Sequence, residues 1–194
     1  VYTRQNAASP NLPGGSINLT LEIPPGLDIE VTNENGEVTA DKIAARLNVR
    51  TSNGAVMIGG LDGDLEVRGE NGRITVHDVG GKVRVSTGNG QIRVENPRGE
   101  VALDSQNGEI ELSSDHPLDK TYSLRTKNGR IRFSLPKESN LEIEARTSHG
   151  QISGLDQEFS TGSGPAGSAR LKLGGGKGNA RLSTENGPIS VMTN

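Results

Sequence analysis

The three histidines are the residues of this chain best suited to metal binding or to acid–base chemistry near neutral pH. His77 stands beside an aspartate, His116 precedes a proline, and His149 precedes a glycine. A metal site needs ligands that converge on one point, and these three residues stand at unrelated spacings. The chain contains no cysteine, so thiolate ligands and disulfides are excluded. We therefore predict no metal site and expect the histidines to be solvated or to occupy turns.

Two glycine-rich segments contain residue types that occur in ligand-binding loops, but neither has the required pattern. The run Gly59–Leu65 mixes glycine and aspartate as calcium-binding β-rolls do, yet it occurs once, whereas such sites need consecutive copies. The run Gly174–Gly178 lacks the spacing and the following helix of a phosphate-binding loop. No serine stands in a nucleophile-elbow motif. The sequence therefore predicts no cofactor and no catalytic residue.

The strongest signal is an Asn-Gly pair that recurs at a fixed interval. Its asparagines are Asn35, Asn53, Asn71, Asn89, Asn107, Asn128 and Asn186, and His149 fills an eighth slot before the last of them. The spacings are 18 residues four times, then 21, 21 and 37. Asparagine tolerates the left-handed backbone region, and glycine adopts positive φ without steric cost, so both residue types suit a recurring corner. We also expect the asparagine amides to hydrogen-bond from repeat to repeat as a corner ladder.

Each repeat carries the same apolar positions. One row is Val38, Val56, Ile74, Ile92, Ile110, Ile131, Ile152 and Ile189, and another is Ile29, Leu47, Leu65, Val83, Val101, Tyr122, Ile143 and Ala180. Apolar and polar residues alternate in each short run, which indicates β-strands with one buried face. A row rich in Thr and Ser, two residues before each asparagine, predicts buried hydroxyl groups that satisfy one another.

These rows predict an all-β fold, namely a right-handed parallel β-solenoid of about eight coils of 18–21 residues. Stacking the coils about 4.8 Å apart would pair their backbone groups and bury their apolar residues. The alternative is a β-meander in which Asn-Gly forms type I′ hairpin turns. We favour the solenoid, with each coil directly above the preceding one, because coil length and row composition are uniform.

The chain divides into a lead-in and one domain. Residues 1–16 are polar and contain prolines, which predicts a flexible lead-in. Residues 17–194 are predicted to form a single β-solenoid domain with an irregular loop near residues 155–168. Within this domain, the alternating segment Ile17–Ile23 is expected to be the first strand.

Charge and hydropathy exclude several classes of partner. The net charge is −3, with 21 basic and 24 acidic residues mixed along the chain, so no block predicts nucleic-acid or membrane-surface binding. No apolar run approaches the roughly 20 residues needed to cross a bilayer. We expect no nucleic-acid partner, and membrane attachment only through a signal peptide or anchor upstream of this sequence.

Several segments resemble a known bacterial family. They are the repeated S/T-x-Asn-Gly-x-I/V-x-V/L element, the segment Ile23–Val31, and the closing run from Gly174 to Val191. Together they are similar, over about residues 17–192, to a widespread adhesin-labelled domain family of unknown function. The resemblance implies a β-solenoid domain, often beside a membrane anchor or a regulatory segment, and in some members a link to envelope stress. It implies no catalytic residues.

We therefore expect a non-catalytic protein of the bacterial cell surface or envelope, acting as an adhesin or scaffold through its solenoid faces. The partner is an envelope component or a protein that the sequence does not identify. One alternative is a polysaccharide-active enzyme on a pectin-lyase-like β-helix, although the outward positions mix signs, as at Glu66, Arg84 and Asp104. Another is a self-associating structural module joined through uncapped terminal coils.

Overall fold

A computed structural model describes residues 23–24, 26–154 and 167–194 of the chain. Within these ranges, every regular element is a β-strand, as the sequence predicts. The expected lead-in, nearly all of the expected strand Ile17–Ile23 and most of the expected loop at residues 155–168 lie outside the described residues. No helix in the described ranges has the length and apolar character needed to cross a membrane.

The described residues form strands that pair off into coils joined by short corners. The strands are β1 (Ile29–Asn35), β2 (Val38–Asp41), β3 (Leu47–Asn53), β4 (Val56–Leu61), β5 (Leu65–Asn71), β6 (Ile74–Val79), β7 (Val83–Asn89), β8 (Ile92–Glu95), β9 (Val101–Asn107), β10 (Ile110–Ser113), β11 (Thr121–Asn128), β12 (Ile131–Leu135), β13 (Leu141–His149), β14 (Ile152–Ser153), β15 (Gly167–Lys172), β16 (Gly178–Asn186) and β17 (Ile189–Thr193). Eight coils result, because every strand except β15 has a partner across an Asn-Gly or His-Gly corner.

The strands form two sheets with one apolar core between them. The nine-stranded sheet has the order β1-β3-β5-β7-β9-β11-β16-β13-β15, and the eight-stranded sheet has the order β14-β17-β12-β10-β8-β6-β4-β2. Equivalent positions of successive coils are in register: Leu47 pairs with Leu65, and Leu65 pairs with Val83. All neighbouring strands are parallel except β13 and β15. The fold is therefore a parallel β-solenoid, and the hairpin meander is wrong.

The core consists of the inward rows that the sequence predicts. Val49, Val67, Val76 and Ile92 are fully buried, while their neighbours along each strand point outward. Removing such a side chain from water stabilises the fold by about 1.5–3 kcal/mol. Because each coil contributes the same few aliphatic groups, the core is thin and continuous along the stack.

A buried row of hydroxyl groups lies beside the Asn-Gly corners. Thr126, Thr147 and Thr184 are 2–3% exposed, and each hydroxyl donates to the carbonyl oxygen of a corner glycine in an adjacent coil at 3.0–3.1 Å. The expectation that the hydroxyls satisfy one another is therefore wrong: backbone carbonyls accept the hydrogen bonds of these three, and the buried hydroxyls of Thr51, Thr87 and Ser105 have no hydrogen-bond partner among the described residues. Gly69 interrupts the row between the coils of Thr51 and Thr87.

The last coil of the sequence does not lie at the end of the stack. β16 and β17 lie between the coil β11–β12 and the coil β13–β14, so Leu182 pairs with Leu124 on one side and with Ala145 on the other. The expectation that each coil lies directly above the preceding one holds from β1 to β12 and is wrong after β12. The insertion is physically feasible because β16 carries the same inward rows as every other coil.

β15 covers the edge of the nine-stranded sheet beyond β13. It runs antiparallel to β13, with Ala169 opposite Ala145 and Leu171 opposite Ile143. The strand begins at Gly167, so it includes the last two residues of the region where the sequence predicts a loop, near residues 155–168. Because β15 and β16 flank β13 on opposite sides, the chain passes the end of β13 between residues 172 and 178.

A second kind of corner recurs every 18 residues without an Asn-Gly pair. Its residues have φ between 51° and 59°, in the left-handed region, and they are Lys42, Gly60, Asp78 and Asn96. Four different residue types adopt the same backbone conformation at this corner. No residue motif therefore marks this corner in the sequence.

Candidate binding surface

The asparagines of the corner ladder form a continuous stack of side-chain amides. From Asn53 onward, each Nδ2 donates to the Oδ1 of the asparagine in the adjacent coil at 2.8–3.2 Å, along the series Asn35, Asn53, Asn71, Asn89, Asn107, Asn128 and Asn186. The final hydrogen bond joins Asn186 to Asn128 because β16 lies next to β11. His149 lies beyond Asn186, in register with it. These residues join the coils, which is a structural role.

The corner glycines are required by the close approach of successive coils. A Cβ atom on Gly54 would lie 1.7 Å from the carbonyl oxygen of Gly36, and one on Gly108 would lie 1.8 Å from that of Gly90. Five of the corner glycines have positive φ, as the sequence predicts. The corner asparagines do not use the left-handed region that they tolerate, because the described non-glycine residues with positive φ belong to the second kind of corner. Close stacking, and not the asparagine backbone, accounts for the Asn-Gly pair.

The histidines lie at separate places on the solenoid. The imidazole of His77 lies against Gly59, where a Cβ would be 2.2 Å from Cε1, and its Nδ1 is 3.3 Å from Asp78 Oδ2. His116 Nε2 is 3.1 Å from the carbonyl oxygen of Pro97. Among the described residues, no group of three His, Asp or Glu side chains could hold a metal ion.

The glycine–aspartate run Gly59–Leu65 forms part of a corner. A Cβ on Gly63 would lie 2.2 Å from the carbonyl oxygen of Ala45, so glycine is needed for stacking. The Oδ1 atom of Asp64 accepts a hydrogen bond from the backbone N–H of Lys82 in the next coil at 2.8 Å. The run therefore links coils. The same requirement recurs at Gly81 and Gly99, an 18-residue signal that the sequence displays.

Two of the four aromatic residues are in the core. The rings of Tyr122 and Phe133 have centroids 6.1 Å apart and are tilted by 41°, and both side chains are at most 1% exposed. Burial raises the pKa of Tyr122 to about 12. The remaining aromatic residues, Tyr2 and Phe159, lie outside the described residues.

A shallow depression lies in the middle of the outward face of the nine-stranded sheet, across β5, β7, β9 and β11. Its volume is about 330 Å³. Its lining combines the long side chains of Arg68, Arg84 and Arg125 with the short side chains of Ser86, Ala102 and Ser123. Short residues next to long ones make the otherwise flat sheet surface concave. We call this feature the arginine depression.

The charges of the arginine depression are incompletely paired. Arg68 Nη2 lies 2.6 Å from Glu66 Oε1, whereas Arg84 and Arg125 form no ion pair within the described residues. Asp104, which also lines the depression, has no ion-pair partner there either. Three guanidinium groups and two carboxylates give a net positive surface. Guanidinium groups bind carboxylate, phosphate or sulfate through paired hydrogen bonds, so the depression is suited to an anionic partner.

Ion pairs connect the far end of the stack. Glu144 on β13 contacts Arg170 on β15 at 3.1 Å and Arg146 at 2.5 Å, and these two guanidinium groups, Arg170 first, hold the pKa of Glu144 below its usual value. Before β16, Lys177 Nζ lies 2.9 Å from Asp119 Oδ2. The Lys177 ammonium, together with a neighbouring lysine, lowers the pKa of Asp119. The Glu144–Arg170 and Asp119–Lys177 contacts join segments that are distant in the sequence.

Comparison with family models finds a match that covers nearly the whole chain. The model described as Toastrack DUF4097 matches residues 4–192. The chain belongs to the Toastrack family. Because the match spans nearly all of the Toastrack chain, it includes both the regular coils and the inserted coil, and it confirms the expected repetitive family of unknown function. No curated protein and no solved structure matches the chain.

Proposed function

We propose that this Toastrack chain is a non-catalytic binding or scaffold module of the bacterial cell envelope, and that it acts in adhesion. The arginine depression is the observation that supports the proposal. It presents Arg84 and Arg125 without ion-pair partners among the described residues, on a rigid and open sheet face. The residues that recur most strongly in the sequence are engaged in stacking, so the outward faces are the surfaces available to a partner.

The shape of the depression favours an extended partner. Small-molecule sites are usually enclosed clefts that bury most of the ligand, whereas this surface is shallow. Arg84 and Arg125 lie on β7 and β11, which are separated by β9 alone. The spacing of neighbouring strands places them about 10 Å apart along the stack. A polymer with repeated anionic groups can contact both arginines at once and gain affinity from the second contact.

We therefore propose an acidic polysaccharide as the partner. Polygalacturonate is a suitable probe, with uncharged dextran as its control, and calorimetry can measure binding. We expect binding to polygalacturonate that weakens as salt is raised, because exposed charges are screened. The double variant Arg84→Ala/Arg125→Ala should bind roughly tenfold more weakly, since two charge-assisted contacts are lost.

The matched control is Arg73→Ala/Arg130→Ala, which removes two exposed arginines that lie just before β6 and β12. It lowers the net charge equally but leaves the depression intact, so it should bind as the unaltered protein does. Equal losses in the two double variants, or no binding at low salt, would contradict the proposal.

A polysaccharide-active enzyme is the second candidate, because the depression also contains the carboxylates of Glu66 and Asp104. Paired carboxylates are the usual catalytic groups of glycoside hydrolases. We expect polygalacturonate to keep its length after prolonged incubation with the protein, as measured by size-exclusion chromatography. Shortening that is abolished in Asp104→Asn would replace the binding proposal with the enzymatic one.

A further inference from the structure

We infer that the chain associates head to tail with further copies of itself, through the first coil (β1–β2) of one copy and β15 of the next. This inference goes beyond the proposed function and does not depend on it. It rests on the open edges of the two ends and on their opposite charges.

The first coil is an incomplete member of the stack. Within the described residues, β1 and β2 each pair on one side only. The first coil's inward residues Ile29, Val31, Val38 and Ala40 are only partly buried, whereas the equivalent residues of the second coil, Leu47, Val49, Val56 and Ile58, are at most 1% exposed. Among the described residues, nothing therefore gives the apolar side chains and backbone groups of the first coil the cover that every middle coil has.

The first Asn-Gly corner is open in the same way. The Oδ1 of Asn35 accepts a hydrogen bond from Asn53, but its Nδ2 has no acceptor among the described residues. A Cβ on Gly36 would meet no described residue within 4 Å, although one on Gly54 would meet a carbonyl oxygen at 1.7 Å. The corner is thus shaped to receive one more coil.

The opposite end of the same sheet also has an open strand edge. β15 is the last strand of the nine-stranded sheet and pairs only with β13 among the described residues. Leu171 on β15 and Ile152 on the short strand β14 are partly buried. Since β15 runs opposite to the other strands, β1 of a copy stacked along the same axis would meet it antiparallel. Strand addition of this kind supplies main-chain hydrogen bonds to both edges.

The two ends carry opposite charges. Residues 28–42, around the first coil, contain one lysine and five carboxylates, namely those of Asp28, Glu30, Glu34, Glu37 and Asp41. β15 contains no carboxylate and two basic residues, Arg170, which also contacts Glu144 of β13, and Lys172. Opposite charges attract across an interface and like charges oppose it. Two acidic ends would therefore repel each other, and the charges favour head-to-tail over head-to-head stacking.

Head-to-tail stacking leaves a free end after every addition. The interface is heterologous, so it generates an open filament when successive copies do not close into a ring. Each added copy would also repeat the arginine depression along the filament.

Sedimentation velocity over a concentration series tests the inference. We expect the sedimentation coefficient to increase with concentration at low salt and to fall back at high salt. The variants Glu34→Lys and Lys172→Glu each reverse one charge at an end, and each should weaken association roughly threefold to tenfold. The combined variant restores opposite charges and should recover much of the association.

Two variants serve as matched controls. Glu70→Lys makes the same change as Glu34→Lys in the middle of the rod, and Lys127→Glu makes the same change as Lys172→Glu there; all four side chains are exposed. Neither control should alter association. Equal effects of control and end variants would overturn the inference, as would a discrete dimer that grows no further. A monomer at every concentration would also overturn it and would make the chain's own residues 1–22 the candidate cover of the first coil.

Discussion

The regular stack from β1 to β10 and the far end from β11 to β17 use the same rows in a different chain order. In the regular stack, each coil is joined to the next after 18 residues and lies beside it. At the far end, the last coil lies between two coils that precede it in the sequence. The difference shows that matching rows and corners determine where a coil packs, and that proximity in the sequence is not required.

Side-chain size favours the inserted position. Tyr122 on β11 is in register with Val101 on one side and with Ala180 on the other. If β13 lay directly beside β11 in the same register, Ile143 would take the place of Ala180. The small Ala180 side chain leaves room for the buried tyrosine ring, whereas isoleucine would crowd it.

The largest expected effect comes from adding a methyl group at a stacked corner in each region. A Cβ would lie 1.8 Å from a carbonyl oxygen at Gly108, in the regular stack, and 2.0 Å at Gly150, beside the inserted coil. Because backbone cannot move aside cheaply, Gly108→Ala and Gly150→Ala should each lower the free energy of unfolding by about 5 kcal/mol or more. Chemical denaturation measures both.

Gly175→Ala is the control for the corner variants, because its Cβ would have no contact shorter than 3.5 Å. It should be close to neutral. A harmless Gly150→Ala alongside a damaging Gly108→Ala would mean that the coil of β13 does not lie against the inserted coil.

Truncating one leucine of the same inward row in each region tests whether the two coils are equally well buried. Leu103 on β9 and Leu182 on β16 are 2% and 1% exposed. Leu103→Ala and Leu182→Ala should each cost about 2–5 kcal/mol of unfolding free energy, since each leaves a cavity in the core. A coil at the end of the stack would be only half covered, as the first coil is. A much smaller loss for Leu182→Ala would therefore indicate that β16 is terminal.

The buried tyrosine at the boundary between the two regions predicts that the free energy of unfolding falls at alkaline pH. Burial raises the pKa of Tyr122 from 10.0 to about 12 in the folded protein. The folded state therefore holds the phenolic proton more tightly than the unfolded state, and this contribution is complete below pH 10 and is lost as the pH rises towards 12. Denaturation at several pH values should show that the unfolding free energy falls less between pH 10 and pH 12 in Tyr122→Phe than in the unaltered protein. An identical decline in both proteins would show that the ring is not buried.

The smallest effect is expected at Gly69, where glycine interrupts the buried row of hydroxyl groups. A Cβ on Gly69 would make ordinary contacts, 3.4 Å from Ile74 Cδ1 and 3.7 Å from Thr51 Cγ2. Gly69→Ala should raise the unfolding free energy by about 0.5–1 kcal/mol, because it restricts the unfolded chain and fills space. Gly88→Ala, whose Cβ would lie 2.9 Å from the carbonyl oxygen of Glu70, should destabilise instead. Loss of stability in Gly69→Ala would contradict the packing described for this row.

The sequence predicted the rows, the strands and their parallel stacking because each depends on a short pattern repeated at a fixed interval. The order of the last coils could not be predicted in the same way. Ala180 and Leu182 have the spacing of every other coil, so the pattern fits several positions in the stack. The direction of β15 could not be predicted either, because the alternation of inward and outward residues is the same in parallel and antiparallel strands.

The arginine depression could not be predicted from the sequence either. Its residues come from four strands that lie about a coil apart in the chain, and no local motif unites them. In register, Arg84 lies next to Glu66 and Ala102, and Arg125 lies next to Asp104 and Ser183. Register alone would therefore pair both arginines with a carboxylate, but Glu66 contacts Arg68 instead, and Asp104 forms no ion pair within the described residues. Only the register, together with the side-chain geometry, shows which charges remain available.

The position of the inserted coil is tested most directly by introduced cysteine pairs, because the natural chain has no cysteine. Ser123 is in register with Arg181, and Arg181 with Glu144 on its other side, so Ser123 and Glu144 are about 10 Å apart, too far for a disulfide. We predict that Ser123→Cys/Arg181→Cys forms an intrachain disulfide on mild oxidation and that Ser123→Cys/Glu144→Cys does not. The reverse result would contradict the insertion and restore stacking in sequence order.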